Sequence, residues 1–337
     1  MTANSWPGLM IDAEQDTLYI ANNTFVYALN LSNGTEKWRY PAEADNKVTF
    51  FAPPSFTSDQ QLILPSYDTN LYSLNPETKA VTWTFPEAKN RYIASALVME
   101  DQIVAANSDN SLYSLDLSGQ LLWTFETGHS LWGKPATDGE IVYLPSMDHH
   151  VYALQADSGA VVWETDDLGG ALVAQPVLGE DGILYIGTFG SEIVALDTKR
   201  QGQIVWRTPT NGWVWSSVLL QDGVLYFGDL SGSLFALDAA TGSEKWKFAA
   251  TDVQKPAISG TPAILGDTLY YVTEGGSIFA LDWSNGGQKW SKQFDANFYP
   301  GPMIVDDTIY LASMGGDELV IALDANGNQK WEFIPAK

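Results

Sequence analysis

The chain contains no cysteine, which excludes disulfides, thiolate metal sites and cysteine nucleophiles while leaving the redox compartment open. Basic residues are scarce: 17 Lys and Arg stand against 41 Asp and Glu, a formal net charge of −24 at pH 7. A field of that sign repels phosphate backbones and anionic lipids, so nucleic acid is not an expected partner, and the acidity serves solubility or a basic partner. No apolar run reaches the roughly 18 residues that mark a membrane helix, so no direct membrane insertion of this chain is expected. The N-terminus lacks the basic and apolar regions of a secretory signal, and the opening Met1-Thr2-Ala3-Asn4-Ser5 reads as a start placed on a trimmed mature chain. No segment has the length or periodicity of a helix. There is no Gly-x-Ser-x-Gly elbow and no Asp-x-Asp-x-Asp-Gly loop, the local marks of a serine hydrolase and of an EF-hand calcium site.

What the chain does contain is repetition. A Trp closes each of eight units, at Trp38, Trp83, Trp123, Trp163, Trp206, Trp246, Trp290 and Trp331, and consecutive ones lie 40 to 45 residues apart. That is the period of a propeller blade. Four residues before the Trp stands a Gly in seven units (Gly34, Gly119, Gly159, Gly202, Gly242, Gly286 and Gly327), with Lys79 in the eighth, as a turn of positive φ requires. Upstream lies an apolar strand such as Val26-Tyr27-Ala28-Leu29 or Leu234-Phe235-Ala236-Leu237, whose third position is always Ala or Ser. A small residue there is expected to make room for the indole of an adjacent blade. Two further β-rich runs precede it, so each unit reads as strands A, B, C and D. The expected fold is all-β: one eight-bladed β-propeller of four-stranded antiparallel blades over residues 1–337. Eight complete sets, from Trp6-Pro7-Gly8-Leu9 to Trp331-Glu332-Phe333, let the ring close by side-chain packing with no shared strand, as a monomer with adjacent termini.

The pattern Ala-Leu-Asp-x-x-x-Gly-x-x-x-Trp, clearest in Ala236-Leu237-Asp238 with Gly242 and Trp246, resembles the pyrroloquinoline-quinone-like, tryptophan-docking propeller repeat. The resemblance covers essentially the whole chain. It is not the Trp-Asp propeller pattern, because the residues after the eight Trp are Arg39, Thr84, Thr124, Glu164, Arg207, Lys247, Ser291 and Glu332. Within the resembling superfamily, quinoprotein dehydrogenases are longer, hold quinone (PQQ) with calcium through Glu, Asn and Asp, and in many cases carry adjacent cysteines. This chain, without cysteine or long insertions, is closer in size and simplicity to the non-enzymatic type represented by the lipoprotein subunit of the bacterial outer-membrane β-barrel assembly machine. The repeat is a packing device and specifies fold more than ligand, so no cofactor is expected from it.

Alternating strand direction puts the B-to-C turns and the D-to-A connections on one face. The connections depart from the repeat and are aromatic-rich: Trp6; Phe50 and Phe51; Arg91 and Tyr92; His129, Trp132 and Lys134; Trp213 and Trp215; Phe298 and Tyr299. Two readings stand side by side, a platform for a sugar, planar ring or apolar peptide side chain, and plain packing beneath the loops. The three histidines fall on the same face, His149 and His150 beside Asp148 in a B-to-C turn and His129 in a connection. Adjacent histidines on an extended segment point to opposite sides, so turn and capping roles are expected in place of a metal site. Asp116, Asp197, Asp238, Asp282 and Asp324, just after strand C, read as turn residues. The leading expectation is a non-enzymatic, extracytoplasmic scaffold, periplasmic or cell-surface and lipid-anchored in the full-length protein, that presents this face to a protein or peptide. The alternatives are a sugar- or quinone-binding protein or enzyme using Arg91, Trp132 and Lys134 at the channel mouth, and a sensor domain cut from a larger membrane receptor.

Overall fold

The computed structural model describes residues 7–251 and 253–336. Its thirty-two strands form eight four-stranded antiparallel sheets, each made of four consecutive strands. Blade 1 comprises strand A (Gly8–Asp12), strand B (Thr17–Asn22), strand C (Phe25–Asn30) and strand D (Glu36–Tyr40), and blade 8 ends with strand D at Gln329–Phe333. Among the described residues the one helical element is a single 3-10 turn at Thr198–Arg200. Strands B and C are almost wholly buried, as in Leu18, Tyr19, Ile20 and Ala21. Both faces of each sheet are covered by neighbouring blades, so these strands read as continuous apolar runs and not as alternating ones.

The recurrent small residue of strand C has a specific task. It pairs directly with the Trp of its own blade, as Ala195 does with Trp206 and Ala236 with Trp246, and on its other side with a strand B Tyr, here Tyr185 and Tyr226. Tyr and Trp therefore close over the Ala, their ring centroids 5.9 Å and 5.8 Å apart in these two blades. This corrects the expectation that the small residue receives an indole from the next blade. The indole does cross the interface, but it lands on the turn glycine: a Cβ on Gly242 would stand 2.5 Å from Trp206, and one on Gly119 2.5 Å from Trp83. Six indoles also donate Nε1–H to a carbonyl of the next blade, among them Trp123 to Ala156 at 2.9 Å and Trp206 to Ala239 at 3.0 Å. In blades 2 and 3 the strand B Tyr is replaced by Ile63 and Val104, and there the small residue is Ser73 or Ser114. Each serine hydroxyl finds a partner, Thr82 for Ser73 and Gln102 for Ser114, both at 2.8 Å.

Closure uses the same device. Blade 8 packs on blade 1 through Tyr310, Val320, Ala322 and Phe333 against Leu18, Ile20, Tyr27 and Leu29. Trp331 donates to the Leu31 carbonyl at 3.2 Å and lies on Gly34. Among the described residues no strand is shared between the first and last blades. The turn aspartates also behave as read. Asp116 accepts from the Ser118 and Gln120 amides, both at 2.9 Å, Asp238 from the Thr241 amide at 3.0 Å and Asp324 from the Asn326 and Asn328 amides, both at 2.8 Å.

Candidate functional site at the channel mouth

The D-to-A connections are stitched to the B-to-C turns by backbone hydrogen bonds, which places both sets on one face. Each of several connections gives an N–H to the turn of the blade it leaves: Tyr92 to Ser66, Leu131 to Asn107, Leu172 to Ser146, Val214 to Thr188 and Ile258 to Asp229. The carbonyl one residue earlier accepts from the turn of the blade it enters, as Arg91 does from Ser108, Ser130 from Met147 and Trp213 from Leu230. The residue giving the N–H is an apolar plug. Phe50, Tyr92, Leu131, Leu172, Val214 and Ile258 are all buried, and so is Phe298 in the connection that enters blade 8. Because the backbone here is extended, the next residue faces the other way, and Phe51, Ile93, Trp132, Val173, Trp215, Ser259 and Tyr299 all line one cavity of about 530 Å³.

This alternation sorts the aromatic residues of the connections. Tyr92 and Phe298 are packing residues and do not reach the cavity, Tyr92 carrying a hydroxyl whose pKa burial raises strongly. Phe51, Arg91, Trp132, Trp215 and Tyr299 do line it. Phe51 meets Tyr67 edge-on at 4.8 Å, and the Arg91 guanidinium lies 5.3 Å from the same ring. Burial raises the Tyr67 hydroxyl pKa above its ordinary value, with Arg91 pulling the other way. Trp132 of blade 4 and Trp215 of blade 6 approach to 6.1 Å, which is possible because blade 5 offers only Val173 at the position between them. Trp213 stays 52% exposed and stacks on Phe189 at 4.8 Å with 13° between the planes. Phe189 also touches Trp215 at 5.3 Å. Tyr67 and Phe189 belong to B-to-C turns, and reading the connections alone passes over both. Trp6 lies outside the described residues.

Lys134 is half-buried two residues beyond Trp132, and burial lowers its pKa. The cavity lining holds one cation, Arg91, and no carboxylate among the described residues, while the carboxyl of Glu274, its pKa raised by burial, lies close to the lining residues Ser259 and Tyr299. The histidines stay apart. His129 is exposed and its Nδ1 accepts the Ser130 amide at 2.8 Å. His149 contacts Asp167 at 3.1 Å, His150 lies 2.7 Å from the Thr165 carbonyl, and Asp148 accepts from the Gly128 amide and the Tyr152 hydroxyl. Among the described residues no three His, Asp or Glu side chains converge as a metal set.

The fold and this face define a tryptophan-docked, eight-bladed propeller with an aromatic channel mouth. The chain belongs to the family described as outer membrane protein assembly factor BamB, whose profile matches residues 22–166, 147–264 and 250–335. It is similar to subunit 1 of the cytochrome c-linked methanol dehydrogenase of Methylobacterium organophilum, 26% identical over 195 residues, 46% of this chain and 31% of that protein. It is also similar to BamB of Nitrosomonas eutropha, 25% identical over 191 residues, 56% of this chain and 46% of that protein. The chain thus spans less than half the length of these two curated relatives. The crystal structure of BamB from Moraxella catarrhalis shares the fold with a TM-score of 0.77 at 16% identity, covering 93% of this chain and 94% of that one.

Proposed function

We propose that this propeller is a non-enzymatic scaffold, working outside the cytoplasm as a single ring, whose channel-mouth face binds an extended or apolar segment of a protein partner. The observation that carries the reading is the aromatic-lined cavity, its lining without carboxylates among the described residues, beside the exposed Trp213. Rigid aromatic rings at a concave site give large contact area at small entropic cost, the make-up of a binding hot spot. The family description, an outer-membrane assembly factor, supports an extracytoplasmic partner. Among the described residues no helix is long and apolar enough to cross a membrane.

The double substitution Trp213→Ala with Trp215→Ala tests the placement, using an immobilised array of aromatic-rich peptides and an unfolded β-rich polypeptide as probes. Binding should weaken by about tenfold or more while the melting curve of the ring holds. Unchanged binding sinks the placement.

A second reading is a small-molecule site, favoured by the match to a dehydrogenase and by Arg91 among the rings that line the cavity. Quinone held with calcium does not suit these residues, because calcium is held by oxygen ligands in which carboxylates predominate and the lining supplies no carboxylate among the described residues. A sugar or a free planar anion fits the chemistry better. A thermal-shift screen distinguishes the readings, since a ligand at 100 times its Kd adds about 2.7 kcal/mol. A shift with a sugar or quinone, lost in the double variant, replaces the scaffold reading.

A further inference from the structure

The outer rim of the ring is divided into two halves. The two residues before the docking Trp are Glu36-Lys37, Glu244-Lys245, Gln288-Lys289 and Gln329-Lys330 in blades 1, 6, 7 and 8. In the consecutive blades 3, 4 and 5 they are Leu121-Leu122, Val161-Val162 and Ile204-Val205, and blade 2 carries Val81-Thr82. The residue next to the Trp is the extra one of a β-bulge in every blade, for example between Ser114 and Leu115 opposite Leu122. In blades 1, 7 and 8 the bulge lysine turns back to the Thr that opens strand B, Lys37 to Thr17 at 2.7 Å, Lys289 to Thr268 at 2.8 Å and Lys330 to Thr308 at 2.6 Å. In blades 4 and 5 that Thr is Ile141 or Ile183. In those two blades lysine and threonine are both replaced by apolar residues, which leaves Val162 44% and Val205 48% exposed, and in blade 3 the lysine position is Leu122, 52% exposed, with Gln102 opening strand B.

Strand D is the outermost strand of each blade, and its outer edge has no pairing strand. Lysine on such an edge is the usual guard against added strands. Strand D of blade 3 (Leu121–Glu126) and of blade 4 (Val161–Glu164) carries none. Beside Leu122 runs a groove between these two blades, lined by Val98 and Met99 and by the carboxylates of Glu100, Asp101, Glu140 and Asp157. Its lining has no Lys or Arg, whereas the corresponding groove between blades 1 and 2 holds Lys37. From residue 97 to 164 the only Lys or Arg is Lys134, on an inner connection, against ten Asp and Glu. A second copy of this chain carries the same net charge of −24 and is repelled overall, so the complement of this acidic stretch is a cationic segment of another protein.

We propose that the rim of blades 3 and 4 is a docking surface, separate from the channel mouth, for an extended basic segment of another protein. The segment adds a strand to the free edge of Leu121–Glu126, sets apolar side chains on Leu122 and Val162, and directs Lys or Arg into the groove of Glu100, Asp101, Glu140 and Asp157. Strand addition supplies main-chain hydrogen bonds, and the alternation of the segment supplies specificity.

The test uses three short synthetic peptides: one alternating valine with lysine, one alternating valine with glutamate, and the first with a central proline. The whole chain should bind the first alone, more weakly as salt rises, with slowed amide exchange across residues 121–126. Leu122→Lys with Val162→Lys installs the residue that four other blades already carry, and should weaken binding by about tenfold or more. Trp213→Ala with Trp215→Ala should leave it unchanged, which separates this surface from the channel mouth. Full affinity in the lysine variant, equal binding of the glutamate peptide, or exchange in the unmodified chain unaltered by the lysine peptide overturns the proposal. So does self-association of the unmodified chain that the lysine variant abolishes, since the occupant would then be a second copy.

Discussion

At the scale of single residues, the seven turn glycines serve two purposes at once. Gly242 has φ of +69° and lies flat against Trp206, so any side chain there meets both backbone strain and the neighbouring indole. Gly242→Ala should lower unfolding free energy by about 2 kcal/mol in urea denaturation, the strain of a left-handed alanine plus the displaced ring. The single exception makes the converse prediction. Lys79 adopts φ of +60° and forms the same turn, its N–H on the Asn75 carbonyl at 2.8 Å. Lys79→Gly should stabilise the protein by about 0.5–1 kcal/mol, the left-handed strain relieved less the added freedom of the unfolded chain. A loss of stability on that change would show that the lysine side chain has a role that the turn geometry does not require.

At the scale of elements, the C-to-D turns carry much of the acidity without conflict. Asp116, Asp238, Asp282 and Asp324 have pKa values held below the ordinary 3.8, first by hydrogen bonds from the side chains of Ser118, Thr241, Ser284 and Asn328, respectively, with backbone amides adding to the effect. Because the unfolded carboxylates take up protons first as pH falls, the stabilisation is complete above roughly pH 5 and disappears as pH drops through the folded values. Blades 1 and 2 place Asn30 and Asn75 at this position, and Asn75 accepts the Glu77 and Thr78 amides without a charge. Changing the four aspartates to asparagine should therefore leave the neutral-pH melting temperature nearly unchanged and flatten its fall between about pH 4 and pH 2. An acid limb as steep as in the unmodified chain would assign acid sensitivity to other groups.

At the scale of the whole molecule, the ring is held at its seam by the same indole-on-glycine joint found elsewhere. Trp331→Ala removes the ring on Gly34 and the bond to Leu31, and should cost about 3 kcal/mol, at the low end for a large aromatic because the side chain is only partly buried. Trp38 faces the blade whose turn carries Lys79 in place of glycine, so Trp38→Ala should cost less. Equal losses, measured by urea unfolding of both variants, would mean that the turn glycine adds nothing to docking. The channel mouth, with Arg91 as the one charged residue of its lining among the described residues, and the groove of blades 3 and 4, lined by four carboxylic residues, are electrostatically distinct.

Blade number, strand order and seam position were legible in the chain because each follows from a local rule repeated along it: a docking Trp and a small strand C residue in all eight blades and a turn Gly in seven, although the partners of the small residue, the Trp and in most blades a Tyr of its own sheet, were not. The candidate site was legible only as a set of aromatic connections. Which aromatics turn toward the channel depends on a two-residue alternation locked by hydrogen bonds to the B-to-C turns, and that buries Tyr92 and Phe298 while presenting Trp132, Trp215 and Tyr299. Contacts between residues far apart in sequence decided the rest. Trp132 reaches Trp215 only because the ring sets blades 4 and 6 on either side of Val173, and Tyr67 and Phe189 join the site only because turns and connections share a face. Local turn and packing chemistry is written in the order of residues; the shape and charge of a surface assembled from eight blades is not, because it arises from the closure of the ring.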